Sequence, residues 1–368
     1  MKPKQILVVS LGQVQLTTDR TQHSHNLTKK DNPINDLGLR LFLQKLPEKN
    51  GLTQMDLQIA DPNDWLQITD INHYQSETTL KRELFNKYPK VVSASLDNST
   101  SQQGSQAVLE MVSQTLVNKY PQYFRQNGNL FRNLITGENI DLQNLPNNLT
   151  PLDVASQMVH EDFILMHKEK KDDPYRVIAA SFYFPSAWSP RSKLGFTMQE
   201  VHTPVKFKDP SGMDTSLNVF LGKAIDHALA GIKSDKPLWR MNMLIHGSPQ
   251  LFRSSDVPES LMLPEYPDPL TVENTGDRLW LRLEQQLFLR VPKTDDVLFS
   301  VRTFVYPFKS LSKEIATHVA NILRQKDKRS DMSMDNFLQS EYKGWTKGEV
   351  DVLLRYLDQI ANKNITLI

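Results

Sequence analysis

Two long β-type runs constrain the fold more than any other feature of this sequence. LWLRLEQQLFLRVP (279–292) and VLFSVRTFVYPF (297–308) are rich in aromatic and branched apolar residues, and the polar tetrapeptide KTDD separates them. Runs of this kind on either side of a short polar turn predict a long antiparallel β-hairpin. A hairpin of this length needs further strands or helices to cover its apolar side.

Polar side chains alternate with apolar ones inside these β-type segments. In PLWRMNMLIHG (237–247), alternation places Arg240, Asn242 and His246 on one face. In the hairpin, Arg282, Glu284 and Gln286 lie opposite the leucines, and the second strand adds Arg302. A face that carries Arg240, Arg282, Glu284 and Arg302 is either solvated or the floor of a polar pocket. Because charged residues are seldom buried, we expect the solvated alternative.

Helical periodicity surrounds the strands and predicts an α+β fold with an antiparallel sheet. Asp64 is the expected N-cap of WLQI, and Thr150, Pro151 and Asp153 mark the start of another helix. The predicted helices cover 106–124, 152–170, 196–202, 217–232, 311–325 and 347–363, and a further strand covers 175–184.

Charge and composition exclude several classes of protein. The 43 Lys and Arg residues nearly balance the 42 Asp and Glu residues, so we expect no nucleic-acid partner. The chain has no Cys, which excludes cysteinyl metal sites and iron–sulfur clusters held by its own thiolates. No apolar run approaches the roughly 20 residues of a transmembrane helix. The N-terminal segment MKPKQILVVSLGQVQL is predicted to form a strand or an ordered arm. A cytoplasmic protein with a borrowed cofactor is therefore expected.

His202 ends the short predicted helix FTMQEVH and is followed at once by Thr203 and Pro204. A histidine in this position either caps the last carbonyl groups of the helix or serves as an axial haem ligand. The residues alone leave both alternatives open.

Five blocks occur in a fixed order and identify a resemblance. They are HEDFILM (160–166), FYFPSAW (182–188), EVHTPV (200–205), WRMNMLIHGSPQLF (239–252) and LRLEQQLFLRVPKTDDVLFSVRTFVYPF (281–308). The chain resembles the catalytic alpha subunit of the haem-dependent oxidative N-demethylase family, also called the dimethylamine monooxygenase family, over residues 57 to 325. That family carries FPSxW, [IV]HxPV and WRxNWxIH segments, followed by an RxExQxLxRLP…LFxIRTY hairpin.

The resemblance implies a PAS-like antiparallel sheet that binds haem b, with additional N- and C-terminal helices. It implies three regions: an N-terminal strand and polar arm (1–55), a single haem-binding catalytic domain (56–325) and a C-terminal helical tail (326–368). The implied reaction is O2-dependent demethylation of a small secondary amine, with release of formaldehyde. Electrons would come from a partner, an NAD(P)H reductase that carries flavin and an iron–sulfur cluster.

The resemblance also implies roles for individual residues. His202 is expected to bind the iron, with His246 as the competing ligand, and Arg240 is expected near bound oxygen. Asn242, Arg282 and Arg302 join them in the expected cofactor site, whereas Glu284 and Tyr183 are expected to contact the alkylammonium substrate. Lys206, Lys208 and Arg191 are expected to meet an acidic reductase.

Three departures from the family pattern lie close to these residues. Lys206 replaces a proline, Met243 replaces a common tryptophan, and Gly247 replaces an acidic residue. The neighbours of the iron are therefore expected to differ in this chain. A PAS-type haem sensor, or a haem-free relative that binds another ligand, is the alternative function.

Overall fold

A seven-stranded antiparallel sheet forms the centre of the protein, in the order β1-β10-β11-β12-β6-β7-β2. The computed structural model describes residues 36–44, 57–201, 206–208, 214–216, 225–264, 266, 268–327 and 346–362. The strands are β1 (Gln58–Ile59), β2 (Ser93–Ser95), β3 (Phe124–Asn127), β4 (Leu130–Asn133), β5 (Asn139–Asp141), β6 (Asp162–His167), β7 (Arg176–Ser181), β8 (Lys206–Lys208), β9 (Asp214–Ser216), β10 (Leu238–His246), β11 (Trp280–Arg290) and β12 (Val297–Pro307). β3, β4 and β5 form a second small sheet, and β8 pairs with β9.

Helices surround the large sheet. They are α1 (Leu37–Leu43), α2 (Ile71–Lys87), α3 (Pro89–Val92), α4 (Ser99–Lys119), α5 (Pro151–Gln157), α6 (Met198–Val201), α7 (Val272–Arg278), α8 (Lys313–Asp327) and α9 (Lys347–Asn362). Residues 225–230 are also helical. The mixed α+β class and the large antiparallel sheet are confirmed. None of the helices within these ranges is long and apolar enough to cross a bilayer.

The predicted hairpin is present as β11 and β12, which pair along their whole length from Trp280 opposite Pro307 to Arg290 opposite Val297. The turn between them places Lys293 and Asp295 in the left-handed region, with φ values of 73° and 60°. Non-glycine residues seldom adopt this conformation, so the turn geometry is specific. Turn geometry sets the register of a hairpin, and the register decides which side chains share a face.

The two faces of the sheet bury different apolar clusters. One face carries Leu281, Leu283 and Leu287 into the main core, which is completed by α1, α4, α5, α8 and α9. The opposite face carries a smaller cluster that includes Phe288 and Val301. α6 and the helical residues 225–230 contribute apolar side chains to this second cluster. The second face also carries Arg240, Asn242, His246, Arg282 and Glu284.

The block HEDFILM corrects the sequence analysis. It was predicted to continue a helix over 152–170, but α5 ends at Gln157 and residues 162–167 form β6. β6 lies between β12 and β7 with both of its faces buried, so its continuous apolar run suits a central strand. The predicted helix start is confirmed, because Thr150 and Asp153 form a capping box.

Two other helix starts also differ from the prediction. Asp64 does not cap a helix; α2 begins at Ile71, and the Asp70 side chain accepts a hydrogen bond from the His73 amide. α4 begins at Ser99, within the polar stretch that was expected to precede it, with Asn98 as its N-cap. In both cases an Asp or Asn side chain accepts a hydrogen bond from one of the first amide groups of the helix. Hydrophobic periodicity does not show where such a cap lies.

Both ends of the described chain pack on the main core. α1 buries Leu39 and Phe42, although no helix was predicted there. α9 buries Leu353 and Leu357 in the same core and lies against α8. These helices therefore contribute to the stability of the sheet that positions the site.

Candidate functional site

The register of β10 and β11 brings the predicted polar residues onto one face of the sheet. Arg240 lies opposite Gln286, Asn242 opposite Glu284, and Leu244 opposite Arg282. Side chains of directly opposed residues point to the same side, and alternation along β10 adds His246. The structure thus collects Arg240, Asn242, His246, Arg282 and Glu284.

Arg282 is a buried anchor of this face, with only 1% of its surface exposed. Its Nε atom donates to Oε1 of Glu284 at 3.1 Å and its Nη1 atom donates to the Leu251 carbonyl at 3.1 Å. Its Nη2 atom donates to the Phe184 carbonyl and to the Thr303 hydroxyl. The expectation of a solvated face is therefore wrong, because these partners compensate the cost of burying the guanidinium.

Glu284 is also buried, and three donors hold its carboxylate. Besides Arg282, the amide nitrogen of Asn242 donates to Oε2 at 3.3 Å and that of Gln286 donates to Oε2 at 3.2 Å. A carboxylate offers about four acceptor positions. One position remains for an N–H group of a bound ligand.

Arg302 does not belong to this face, which corrects the sequence analysis. It lies opposite Gln285, whose partner on β10 is Met241, so its side chain points to the other side of the sheet. There it donates to the Gln67 carbonyl and lies 3.9 Å from Glu161. Burial raises the pKa of Glu161 to about 7, against the opposing effect of Arg302.

Tyr183 lies in the segment that follows β7. It is fully buried, and its hydroxyl accepts a hydrogen bond from the Gln157 side chain at 2.9 Å. Burial raises the pKa of the Tyr183 hydroxyl. The Ser181 hydroxyl lies 3.5 Å from the same oxygen, so protein groups hold the Tyr183 hydroxyl.

The block HEDFILM reaches the site through a buried ion pair. Lys81 lies 2.9 Å from Oδ1 of Asp162, and Oδ2 of Asp162 accepts a hydrogen bond from the Phe184 amide at 2.7 Å. The carbonyl of the same Phe184 accepts from Arg282. Two charged groups therefore position the backbone of the FYFPSAW segment from opposite sides.

His246 is a neutral imidazole at the end of β10. Its Nε2 atom lies 3.2 Å from the Ser186 hydroxyl. Burial, reinforced by the positive charges of Arg282 and Arg253, lowers the pKa of His246 well below its usual value. A neutral ring can accept a hydrogen bond or ligate a metal through one nitrogen atom.

Arg253 is a residue that the sequence analysis missed. It pairs with Ser186 in an isolated bridge and is 8% exposed. Its Nη2 atom donates to the Leu261 carbonyl at 3.4 Å, whereas Nε and Nη1 are buried and have no hydrogen-bond partner among the described residues. The available signal was an arginine directly after the apolar end of the WRMNMLIHGSPQLF block.

His202 lies outside the described residues, and the residues that lead to it approach the same face. Met198 of α6 is buried in the second apolar cluster, and Val201 packs against that cluster. Thr197 and Glu200 exchange hydrogen bonds at the start of α6. The side chains of Lys206 and Lys208 are also outside the described part of the chain, and Arg191 is exposed.

The face divides into an apolar part and a polar, cationic part. Its apolar part includes Ile164, Phe288, Phe299 and Val301, with the rings of Phe288 and Phe299 stacked at 4.7 Å. Arg282 and Arg253 lie in the polar part. Ile164, Phe288 and Val301 are buried in this cluster, and Phe299 is partly buried. Within the described ranges, no cluster of three or more His, Cys, Asp or Glu residues suits a metal ion.

A model of a known protein family matches this chain. The model described as "Haem-dependent oxidative N-demethylase, alpha subunit-like" matches residues 56–353, which is more than half of the chain. The matched range includes the whole of the large sheet.

Proposed function

The chain belongs to the haem-dependent oxidative N-demethylase, alpha-subunit-like family, and from that premise we propose that it is a haem-binding subunit that demethylates a small secondary amine such as dimethylamine. The observation that carries the proposal is the divided sheet face. An apolar surface suits the body of a haem b ring, and cationic side chains beside it suit the acidic substituents of the ring. We propose that the fold is related to that of PAS-like haem domains.

His202 is the residue that we propose would bind the haem iron. It follows directly on α6, and Met198 and Val201 of that helix pack into the apolar part of the face. A neutral imidazole that follows a short helix beside a sheet is a suitable iron ligand in a chain without Cys. His246 is the competing residue, although its Nε2 atom already contacts Ser186.

Bound haem supplies the activation of O2 and the oxidation of the N-methyl carbon. For dimethylamine, the amine, O2, two electrons and two protons give methylamine, formaldehyde and water. Glu284 is the proposed contact for the amine nitrogen, because one acceptor position of its carboxylate is unused. Arg282, Asn242 and Gln286 fix the orientation of that carboxylate. Arg240, half-buried on the same face, supplies hydrogen-bond donors to polar groups of the ligands.

The two electrons are proposed to come from a separate NAD(P)H reductase with flavin and an iron–sulfur cluster. The sequence contains no Cys and none of the glycine-rich nucleotide motifs. Arg191 is exposed and, with Lys206 and Lys208, would give a basic docking surface for an acidic partner. Electron-transfer contacts are small, so turnover is expected to fall as ionic strength rises.

Reconstitution followed by turnover tests the proposal. The purified full chain should bind haem and show a Soret band. With dimethylamine, air, NADPH and a matching reductase it should release one formaldehyde per O2 consumed, and without the reductase it should release none. Failure to bind haem would contradict the enzyme and favour a haem-free relative. Demethylation by this chain alone with NADPH would contradict the need for a partner.

A further inference from the structure

Arg253 has unused hydrogen-bonding capacity in a buried position. Only 8% of its surface is exposed. Its Nη2 atom donates a hydrogen bond of 3.4 Å to the carbonyl of Leu261, which is a described residue. Nε and Nη1 have no hydrogen-bond partner among the described residues. Buried polar groups in folded proteins are nearly always paired, and buried charges more so. The two nitrogen atoms are therefore available as donors to a bound group.

The charge around Arg253 is also unbalanced. Burial and the neighbouring Arg282 lower the pKa of Arg253 to about 10, so the side chain is still positively charged at neutral pH. Arg282 forms its ion pair with Glu284. Within the part of the chain that the structure describes, no carboxylate lies within ion-pair distance of Arg253. Among the described residues, Arg253 is thus left with an unpaired positive charge, which suits one monoanionic group.

Hydrogen bonds to a second segment hold the segment that carries Arg253 in place. The Ala187 amide donates to the Arg253 carbonyl at 2.8 Å, and Ser189 donates to Asp256 at 2.6 Å. These bonds hold the Arg253 segment against the FYFPSAW segment, where the Ser186 hydroxyl contacts His246. The contact between Ser186 and His246 therefore lies next to the segment that carries Arg253.

We propose that Arg253 is the anchor of a carboxylate-binding subsite, with Ser186 and His246 beside it. A carboxylate is planar, carries one negative charge and accepts hydrogen bonds from guanidinium N–H groups. The identity of its carrier rests on the proposed function: it is either a haem propionate or the carboxylate of an N-methyl amino acid substrate. The second carrier would extend the substrate class beyond dimethylamine.

Binding measurements on the full chain distinguish the two carriers. The haem-free protein is titrated with protohaem and with protohaem dimethyl ester, in which the propionates are uncharged. The haem-loaded protein is titrated with N-methylglycine and with dimethylamine, followed by its absorption spectrum. The variants are Arg253→Gln and Arg253→Lys, with Arg132→Gln as the control, because Arg132 is exposed on β4. Circular dichroism checks that each variant is folded.

If the subsite holds a propionate, the wild type prefers protohaem over its dimethyl ester by about ten- to hundredfold, and Arg253→Gln loses this preference. If it holds a substrate carboxylate, Arg253→Gln keeps the preference for protohaem and loses N-methylglycine binding. Arg253→Lys retains part of either effect, since the charge remains. An Arg253→Gln protein that matches the wild type in both titrations would overturn the proposal.

A chain that binds no haem would refute the proposed function without deciding this inference. In that case propionate and N-methylglycine are added to the haem-free protein, and the shift in melting temperature is measured against chloride at equal ionic strength. A shift in the wild type that is absent in Arg253→Gln supports the subsite. Equal shifts in the two proteins overturn it.

Discussion

Asn242 and Glu284 lie directly opposite each other where β10 pairs with β11, and the Asn242 side-chain nitrogen is 3.3 Å from Oε2 of Glu284. The first residue belongs to the WRMNMLIH block and the second to the LRLEQQLFLR block. The hydrogen bond therefore joins two sequence-distant blocks in one site. Neighbours on both strands therefore orient the carboxylate.

Glu284→Gln is expected to weaken amine binding while haem is retained. The substitution removes the negative charge that we propose for the alkylammonium contact but keeps the size of the side chain. KM for dimethylamine should rise by about tenfold or more, since hydrogen bonds to charged groups contribute about 1.5–3 kcal/mol. Formaldehyde release as a function of amine concentration measures this change.

Glu110→Gln is the control for that experiment. Glu110 is partly exposed and pairs with Lys293 at the hairpin turn, away from the described site face. It should leave KM unchanged. An unaltered KM in Glu284→Gln, together with normal haem content, would show that the amine binds elsewhere.

His202→Ala is expected to abolish haem retention and leave the fold intact, because it removes the proposed bond to the iron, while apolar side chains form the core of the sheet. The Soret band reports haem, and far-ultraviolet circular dichroism reports the fold. His246→Ala should retain haem, and His227→Ala, at an exposed position, should behave as the wild type. The reverse result for His202 and His246 would assign the iron to His246.

Glu161 and His160 are expected to oppose each other in the pH dependence of stability. Burial raises the pKa of Glu161 from 4.5 to about 7, so the folded state binds more protons and the free energy of unfolding falls as pH rises through that window. Burial lowers the pKa of His160 from 6.5 to about 4, so the unfolded state binds more protons and the free energy of unfolding rises with pH. Between about pH 5 and 6.5 the two effects largely cancel.

Single variants separate these effects. In Glu161→Gln only the His160 contribution should remain. The free energy of unfolding of this variant should therefore rise with pH, with a slope up to ~1.4 kcal/mol per pH unit greater than that of the wild type. His160→Gln should change the slope in the opposite direction. Urea denaturation at several pH values within the window measures both slopes. Parallel curves for all three proteins would contradict the assigned ionisation.

Leu357→Ala is expected to destabilise the protein far more than Asp358→Asn. Leu357 of α9 is fully buried in the main core, and its truncation should cost ~2–5 kcal/mol. Asp358 pairs with Arg324 at 2.6 Å, but both side chains are about 40% exposed, so the pair contributes below ~1 kcal/mol. Chemical denaturation measures both changes. Equal small losses would show that α9 does not stabilise the sheet.

Much of the strand structure was predictable because it depends on local alternation. The residues of β10, β11 and β12 follow the predicted runs, and Arg282 and Glu284 lie opposite the leucines as expected. HEDFILM was not predictable in this way, since a short apolar run fits a buried helix as well as a central strand. Only its position between β12 and β7 decides between them.

The sequence by itself determined which side chains alternate along each strand, and hence that Arg240, Asn242 and His246 share one side of β10. The tertiary structure decided which other residues those strand faces contact. The turn between β11 and β12 sets a register that turns Arg302 away from Arg282, because a shift of one residue reverses every side chain of a strand. The tertiary structure also decided that Arg253 is buried with unpaired donors. Its burial arises because its segment packs against a segment distant in sequence, and no local sequence pattern predicts such packing.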